Sequence, residues 1–135
     1  MHRIGGGIMK GRKIFSGKTE GEALVTSEPI SFFGGVDPDT GVITDRGHEI
    51  EGQSISGKVF VFPYGKGSTV GSYTMYQLKK NGKAPLAIIN KETETVVAVG
   101  AIISEIPCVD KIEISEIKTG DWLIIDAENG TVEKK

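Results

Sequence analysis

The run from Lys58 to Ile89 constrains this chain more than any other stretch. It opens on the apolar segment Lys58–Phe62 (KVFVF) and passes through Pro63-Tyr64-Gly65-Lys66-Gly67-Ser68-Thr69-Val70. From Gly71 to Lys80 the residues tolerate a helix, with Tyr73, Met75, Tyr76 and Leu78 apolar among polar neighbours. Asn81-Gly82 supplies a C-terminal stop, and Leu86–Ile89 (LAII) reads as a second buried strand. The order strand, glycine-rich loop, helix, strand demands a crossover, so the two strands are expected to run parallel.

The rest of the chain reads as strand and turn. Short apolar runs bounded by Gly, Pro and Asp recur at Lys13–Phe15, Ala23–Val25, Ile30–Phe33, Val96–Val99, Lys111–Ile114 and Trp122–Asp126. Asn129-Gly130 is a hairpin turn between the last of these and Thr131-Val132. Asp45–Gln53 reads as a polar loop, and Trp122 as core. A length of 135 residues suits one domain. Residues 1–9 lack the apolar core of a signal peptide and contain a second possible start at Met9, so they are set apart as a flexible N-terminal extension to a single domain at 10–135. The fold class expected is α+β, rich in β.

Charge and cysteine content narrow the function. With 16 Lys+Arg against 18 Asp+Glu and no basic block, the chain lacks the clustered cations that nucleic acid binding requires. The longest apolar run, Val96–Ile103, is far below the roughly 20 residues that cross a bilayer. The single cysteine, Cys108, can neither close an internal disulfide nor hold a zinc or iron–sulfur centre alone, so no metal site is expected in this chain and a reducing, cytoplasmic setting fits. Following Pro107 in an apolar stretch, it reads as a packed thiol, and His2 and His48 read as solvated side chains.

Two loops could carry chemistry. In Gly65-Lys66-Gly67-Ser68-Thr69-Val70-Gly71-Ser72 the glycines let backbone N–H groups converge ahead of a helix, where an anion or an alkoxide is stabilised. Ser68 could then act as base or nucleophile, with Lys66, Gly67 and Ser72 placed to hold an anionic substrate; alternatively, Ser68, Thr69 and Ser72 simply cap the helix. Gly67 separates Lys66 from Ser68, which departs from a phosphate-loop motif, and Val70 stands where a dinucleotide fingerprint needs glycine. Glu92 occupies the place of a ribose-binding acid, which leaves a non-catalytic phosphate or nucleotide module as an alternative. In the second loop, Gly34-Gly35-Val36-Asp37-Pro38, two glycines ahead of a carboxylate could approach a ligand or partner chain, or form ordinary turns.

The segment Pro29 to Asn90, with its GGVDP and GKGSTVGS elements, resembles the small subunit of the aconitase X family, and the resemblance extends from about Gly11 to Lys134. It implies a swivelling β/β/α barrel like the fourth domain of aconitase, paired as a heterodimer with a large aconitase X-type subunit. Archaeal members of the family dehydrate (R)-5-phosphomevalonate, a phosphorylated hydroxy acid, to trans-anhydromevalonate 5-phosphate and water. A hydroxyproline-dehydrating member is the nearest rival. Gly67-Ser68-Thr69 matches the first three positions of the aconitase Gly-Ser-Ser-Arg loop, which implies Ser68 as the proton acceptor and Thr69 as a substrate contact, while Val70 replaces the carboxylate-binding arginine. The implied cofactor is a [4Fe–4S] cluster held by three cysteines of the large subunit, a Lewis acid toward the leaving hydroxyl.

Overall fold

A computed structural model describes residues 2–4, as backbone, and residues 7–135. Among the described residues nine strands, β1 (His2–Ile4), β2 (Ile8–Lys10), β3 (Arg12–Phe15), β4 (Lys18–Val25), β5 (Val59–Phe62), β6 (Ala87–Asn90), β7 (Cys108–Asp110), β8 (Trp122–Asp126) and β9 (Thr131–Lys134), follow the order β1-β2-β9-β8-β4-β5-β6-β7-β3. Strand β4 serves two neighbours in succession. Its first half pairs antiparallel with β8, and Ala23–Val25 pairs parallel with β5. Strands β5, β6 and β7 continue in parallel, as the crossover argument requires. At the other end β2 passes through Gly11 directly into β3, which bends the sheet into a barrel. A Cβ on Gly11 would overlap the Asp110 carbonyl oxygen, so only glycine fits this corner.

The parallel strands are buried on both faces, which explains their unbroken apolar character. Val59, Val61, Ala87 and Ile89 face the barrel interior, with Leu123, Ile125 and Val132. Phe60, Phe62 and Ile88 face outward and are covered by a short kinked turn, α1 (Phe32–Gly35), and two helices, α2 (Gly71–Lys80) and α3 (Thr95–Ser104). The Phe60 and Phe62 rings lie 4.6 Å apart, and Phe32 meets both edge-on. Truncating such a buried phenylalanine costs ~3–5 kcal/mol.

Helix α2 occupies the expected residues, with Lys79 and Lys80 complementing the negative end of its dipole. Four expectations are corrected. Val96–Val99 is helix, not strand: the Glu94 carboxylate caps the N-terminus, and Val96, Val97, Gly100, Ala101 and Ser104 form one buried face that overrides β propensity. Ile30–Phe33 contributes only a bridge from Ile30 to Gly65 before the chain turns at Gly34, where φ is +84°. The strand expected at Lys111–Ile114 lies earlier, at β7, because Lys111 takes a left-handed conformation (φ +61°) that ends it. Trp122 is 44% exposed on the outer face of β8 and donates its indole N–H to Glu20.

The boundary at residue 10 also shifts. Met1, Gly5 and Gly6, and the His2 side chain, lie outside the described residues. Ile8–Lys10, however, pairs with β9, and Met9 is fully buried in the barrel.

Candidate active site

The Ser68 loop leaves the carboxyl end of β5, the edge of a parallel sheet where connecting loops gather. Its path is set from the side. Ile30 N–H donates to the Tyr64 carbonyl (3.2 Å) and Lys66 N–H donates to the Ile30 carbonyl (2.9 Å). Gly67 then turns with φ +89°, a conformation open chiefly to glycine.

Beyond Gly67 the chain winds toward α2. Gly71, Ser72 and Tyr73 N–H groups donate to the carbonyls of Ser68 (2.9 Å), Thr69 (3.2 Å) and Val70 (3.0 Å), so a tight turn precedes the helix. The Ser68 hydroxyl oxygen accepts from Val70 N–H at 3.1 Å. It therefore closes the turn ahead of α2, whose own N-terminus has no side-chain cap, while remaining on the exposed surface. Lys66 and Thr69 are also exposed, and among the described residues neither side chain is hydrogen-bonded or ion-paired. Ser72 is not brought to this surface. It is buried, and its hydroxyl donates to the Val96 carbonyl of α3 at 2.6 Å, so it ties the two helices together instead of facing a substrate.

The two glycine loops converge. Phe33, Gly34, Asp37, Val70, Tyr73 and Gln77 line a cleft of about 440 Å³ between the GGVD loop and α2. Phe33, Val70 and Tyr73 leave 55%, 46% and 57% of their surfaces exposed around it. Gly35 is buried, and the Asp37 carboxylate accepts from Asp39 N–H at 2.9 Å, while its carbonyl receives Thr40 and Gly41 N–H groups. Asp37 thus builds the turn and borders the cleft at the same time.

Other polar groups are engaged elsewhere. Glu92 pairs with Lys111, and the Glu94 carboxylate fills the N-terminus of α3 by accepting from Val96 and Val97 N–H groups (2.9 and 2.8 Å). The start of α2, by contrast, holds no carboxylate, and its first N–H groups are taken by the turn that precedes it. Asp110, fully buried, is held by Arg12 Nε and Nη2 (2.9 and 2.7 Å) and by Thr93 N–H. Cys108 is fully buried, and burial pushes its thiol up to about 12 against a weaker opposing hydrogen bond from Thr93. Among the described residues no three His, Cys, Asp or Glu side chains converge on a metal position.

Residues 8–134 match the family profile of the aconitase X swivel domain. The chain belongs to that family. It is 61% identical over 125 residues to the phosphomevalonate dehydratase small subunit of Thermococcus kodakarensis, covering 93% of this chain and 94% of the relative. It is 59% identical over 128 residues to the protein of the same name from Methanosarcina acetivorans, covering 93% and 89%. The crystal structure of Thermococcus kodakaraensis aconitase X in its holo-form superposes with a TM-score of 0.95 at 59% identity, over 96% of this chain and 99% of that one. The swivelling β/β/α barrel is therefore the fold of this aconitase X swivel domain.

Within the swivel domain, sequence reasoning missed two supports of the loop. Ser31 packs on Gly67 across 36 positions, and nothing local in the sequence marks that contact. His48, expected in solvent, is buried at 8% exposure because its ring bonds the Pro29 carbonyl and Ile50 N–H. Ile50, the one apolar side chain of Asp45–Gln53 and two positions from His48, was the available signal, and it is buried as well.

Proposed function

We propose that this chain is the small subunit of a heterodimeric dehydratase that removes water from (R)-5-phosphomevalonate, with Ser68 as the proton acceptor. The carrying observation is the Ser68 hydroxyl, exposed on the loop that leaves the carboxyl end of β5 and bonded to the Val70 N–H at the start of α2, in a chain about three-fifths identical to small subunits of that name. Ionised, the oxygen is stabilised by that N–H and by the positive end of the helix. It takes the proton from C2 of the substrate. The C–H electron pair becomes the C2=C3 double bond, the tertiary hydroxyl leaves C3 with its bonding pair, and the proton taken up by Ser68 is passed to that hydroxyl, so the product is water and the serine is ionised again.

The unpaired Lys66 ammonium and the Thr69 hydroxyl flank this oxygen in sequence and suit an anionic, phosphorylated acid. The residues of this chain do not fit an iron–sulfur cluster, because the one thiol is sealed inside the sheet and no ligand set converges among the described residues. In this reading the [4Fe–4S] cluster belongs to the large subunit. The large subunit seats against the Phe33, Val70 and Tyr73 rim, bringing its half of the site over Ser68.

The test is solvent exchange of the substrate's C2 hydrogen in the reconstituted two-subunit enzyme. Ser68→Ala is expected to keep the fold and the pairing while lowering exchange and kcat by ~10²–10⁴-fold. Exchange at the wild-type rate in that variant would place the base elsewhere. Turnover of hydroxyproline instead of phosphomevalonate by the same pair would overturn the substrate, and tight nucleotide binding by the isolated chain would favour a binding module.

A further inference from the structure

The His48 ring has no hydrogen bond to the Ser68 loop and does not line the cleft, yet it holds the segment against which the loop is laid. Its side chain is 3% exposed. Nε2 lies 3.1 Å from the Pro29 carbonyl oxygen, and Nδ1 accepts from Ile50 N–H at 3.3 Å. A carbonyl only accepts and an amide N–H only donates, so the ring carries its proton on Nε2 and a lone pair on Nδ1. The Glu28 carboxylate stands 3.8 Å from Nε2 on the outer side.

Residues 26–31 form a strap tied to the parallel sheet at its start, where Thr26 N–H donates to the Val61 carbonyl (3.0 Å), and again at Ile30, which bridges to Gly65. Upstream, Glu49 accepts from the Thr26 hydroxyl (2.6 Å) and Ser27 N–H (2.8 Å). Downstream of the His48 contact, Ile30 exchanges hydrogen bonds with Tyr64 and Lys66, and the Ser31 side chain abuts Gly67. From the imidazole to the residue before Ser68 there is thus an unbroken series: His48, Pro29, Ile30, Lys66, Gly67. A strap free to shift at Pro29 would carry the loop with it, and misplacement of a catalytic group by about 1 Å costs on the order of 10²-fold in rate.

We propose that His48 is a positioning residue for Ser68, acting through its Nε2–H bond to the Pro29 carbonyl. This rests on the assignment of Ser68 as the proton acceptor. Two substitutions of similar volume separate the hydrogen bond from simple space filling: His48→Met lacks the N–H, whereas His48→Gln retains one at a comparable reach. In the two-subunit enzyme, at a temperature where both variants keep the wild-type circular dichroism spectrum, His48→Met is expected to lower kcat and C2-hydrogen exchange by ~10-fold or more with KM changed less than about twofold. His48→Gln is expected to recover most of that loss. Placed in the Ser68→Ala background, His48→Met should cost nothing further, because residues that act through one group are not additive.

Equal rates for the Met and Gln variants would overturn the proposal, as would the same fold-loss in the Ser68→Ala background as in the wild type. Wild-type exchange in Ser68→Ala alone would show instead that the assignment of the base has failed.

Discussion

The Ser31 hydroxyl oxygen lies 2.5 Å from the point where a Cβ on Gly67 would stand. With φ at +89°, Gly67 is fixed both by its own backbone and by its neighbour. Gly67→Ala should therefore push the loop away from the strap. Because the loop is at the surface, the loss of stability is expected to stay within ~1–3 kcal/mol, the usual cost of a strained backbone position. The loss in kcat should exceed what that stability change explains. Thermal melting of the isolated chain and turnover of the two-subunit enzyme, measured side by side, check this.

Tyr73 is 57% exposed beside Val70 and Phe33, and its ring stacks at 6.1 Å on Tyr76. If this rim seats the large subunit, Tyr73→Ala should weaken the pairing by ~10-fold or more, the range typical of aromatic contacts at the centre of interfaces. The isolated chain should melt within ~0.5 kcal/mol of the wild type, as surface substitutions do. Titration of one labelled subunit with the other gives the affinity directly, and an unchanged Kd would move the interface to another face.

Cys108, with its thiol pushed up to about 12 by burial, should resist a thiol reagent at pH 8 in the native chain. One equivalent should react after denaturation in guanidinium. Cys108→Ser in the two-subunit enzyme should leave the iron content unchanged, which elemental analysis would show.

The Glu49 carboxyl is held below its ordinary range, first by the Thr26 hydroxyl and then by Ser27 N–H. A carboxyl depressed in the folded state contributes stability that is present above its unfolded pKa and lost as the pH falls through the folded value. The melting-temperature difference between wild type and Glu49→Gln should thus be constant near neutrality and shrink as the pH falls below ~4. A difference that persists at pH 2 would mean that the charge is not what holds the strap.

Much of this architecture is legible in the sequence where pattern and local chemistry agree. The apolar run of β5, the helix over Gly71–Lys80 with its Asn81-Gly82 stop, and the Asn129-Gly130 hairpin each carry a signal within ten residues. Helix α3 was hidden because Val96, Val97 and Val99 favour a strand by themselves, and only the Glu94 cap and the packing against α2 decide otherwise. At the site, Ser68 is readable from its glycines and its family resemblance. The strap is not, since His48–Pro29 and Ser31–Gly67 are contacts across 19 and 36 positions, made by residue types with no fixed role.

The parallel sheet divides the interior into two cores that share no side chain. The Ser68 loop, the strap and both helices lie over the Phe60–Phe62 side; the barrel interior, from Met9 to Val132, lies on the other. Heat resistance and catalysis can therefore be tuned in different places. A lineage moving to a hotter or colder habitat could repack the barrel one methyl group at a time, leaving undisturbed the surface that must fit a substrate and a second protein.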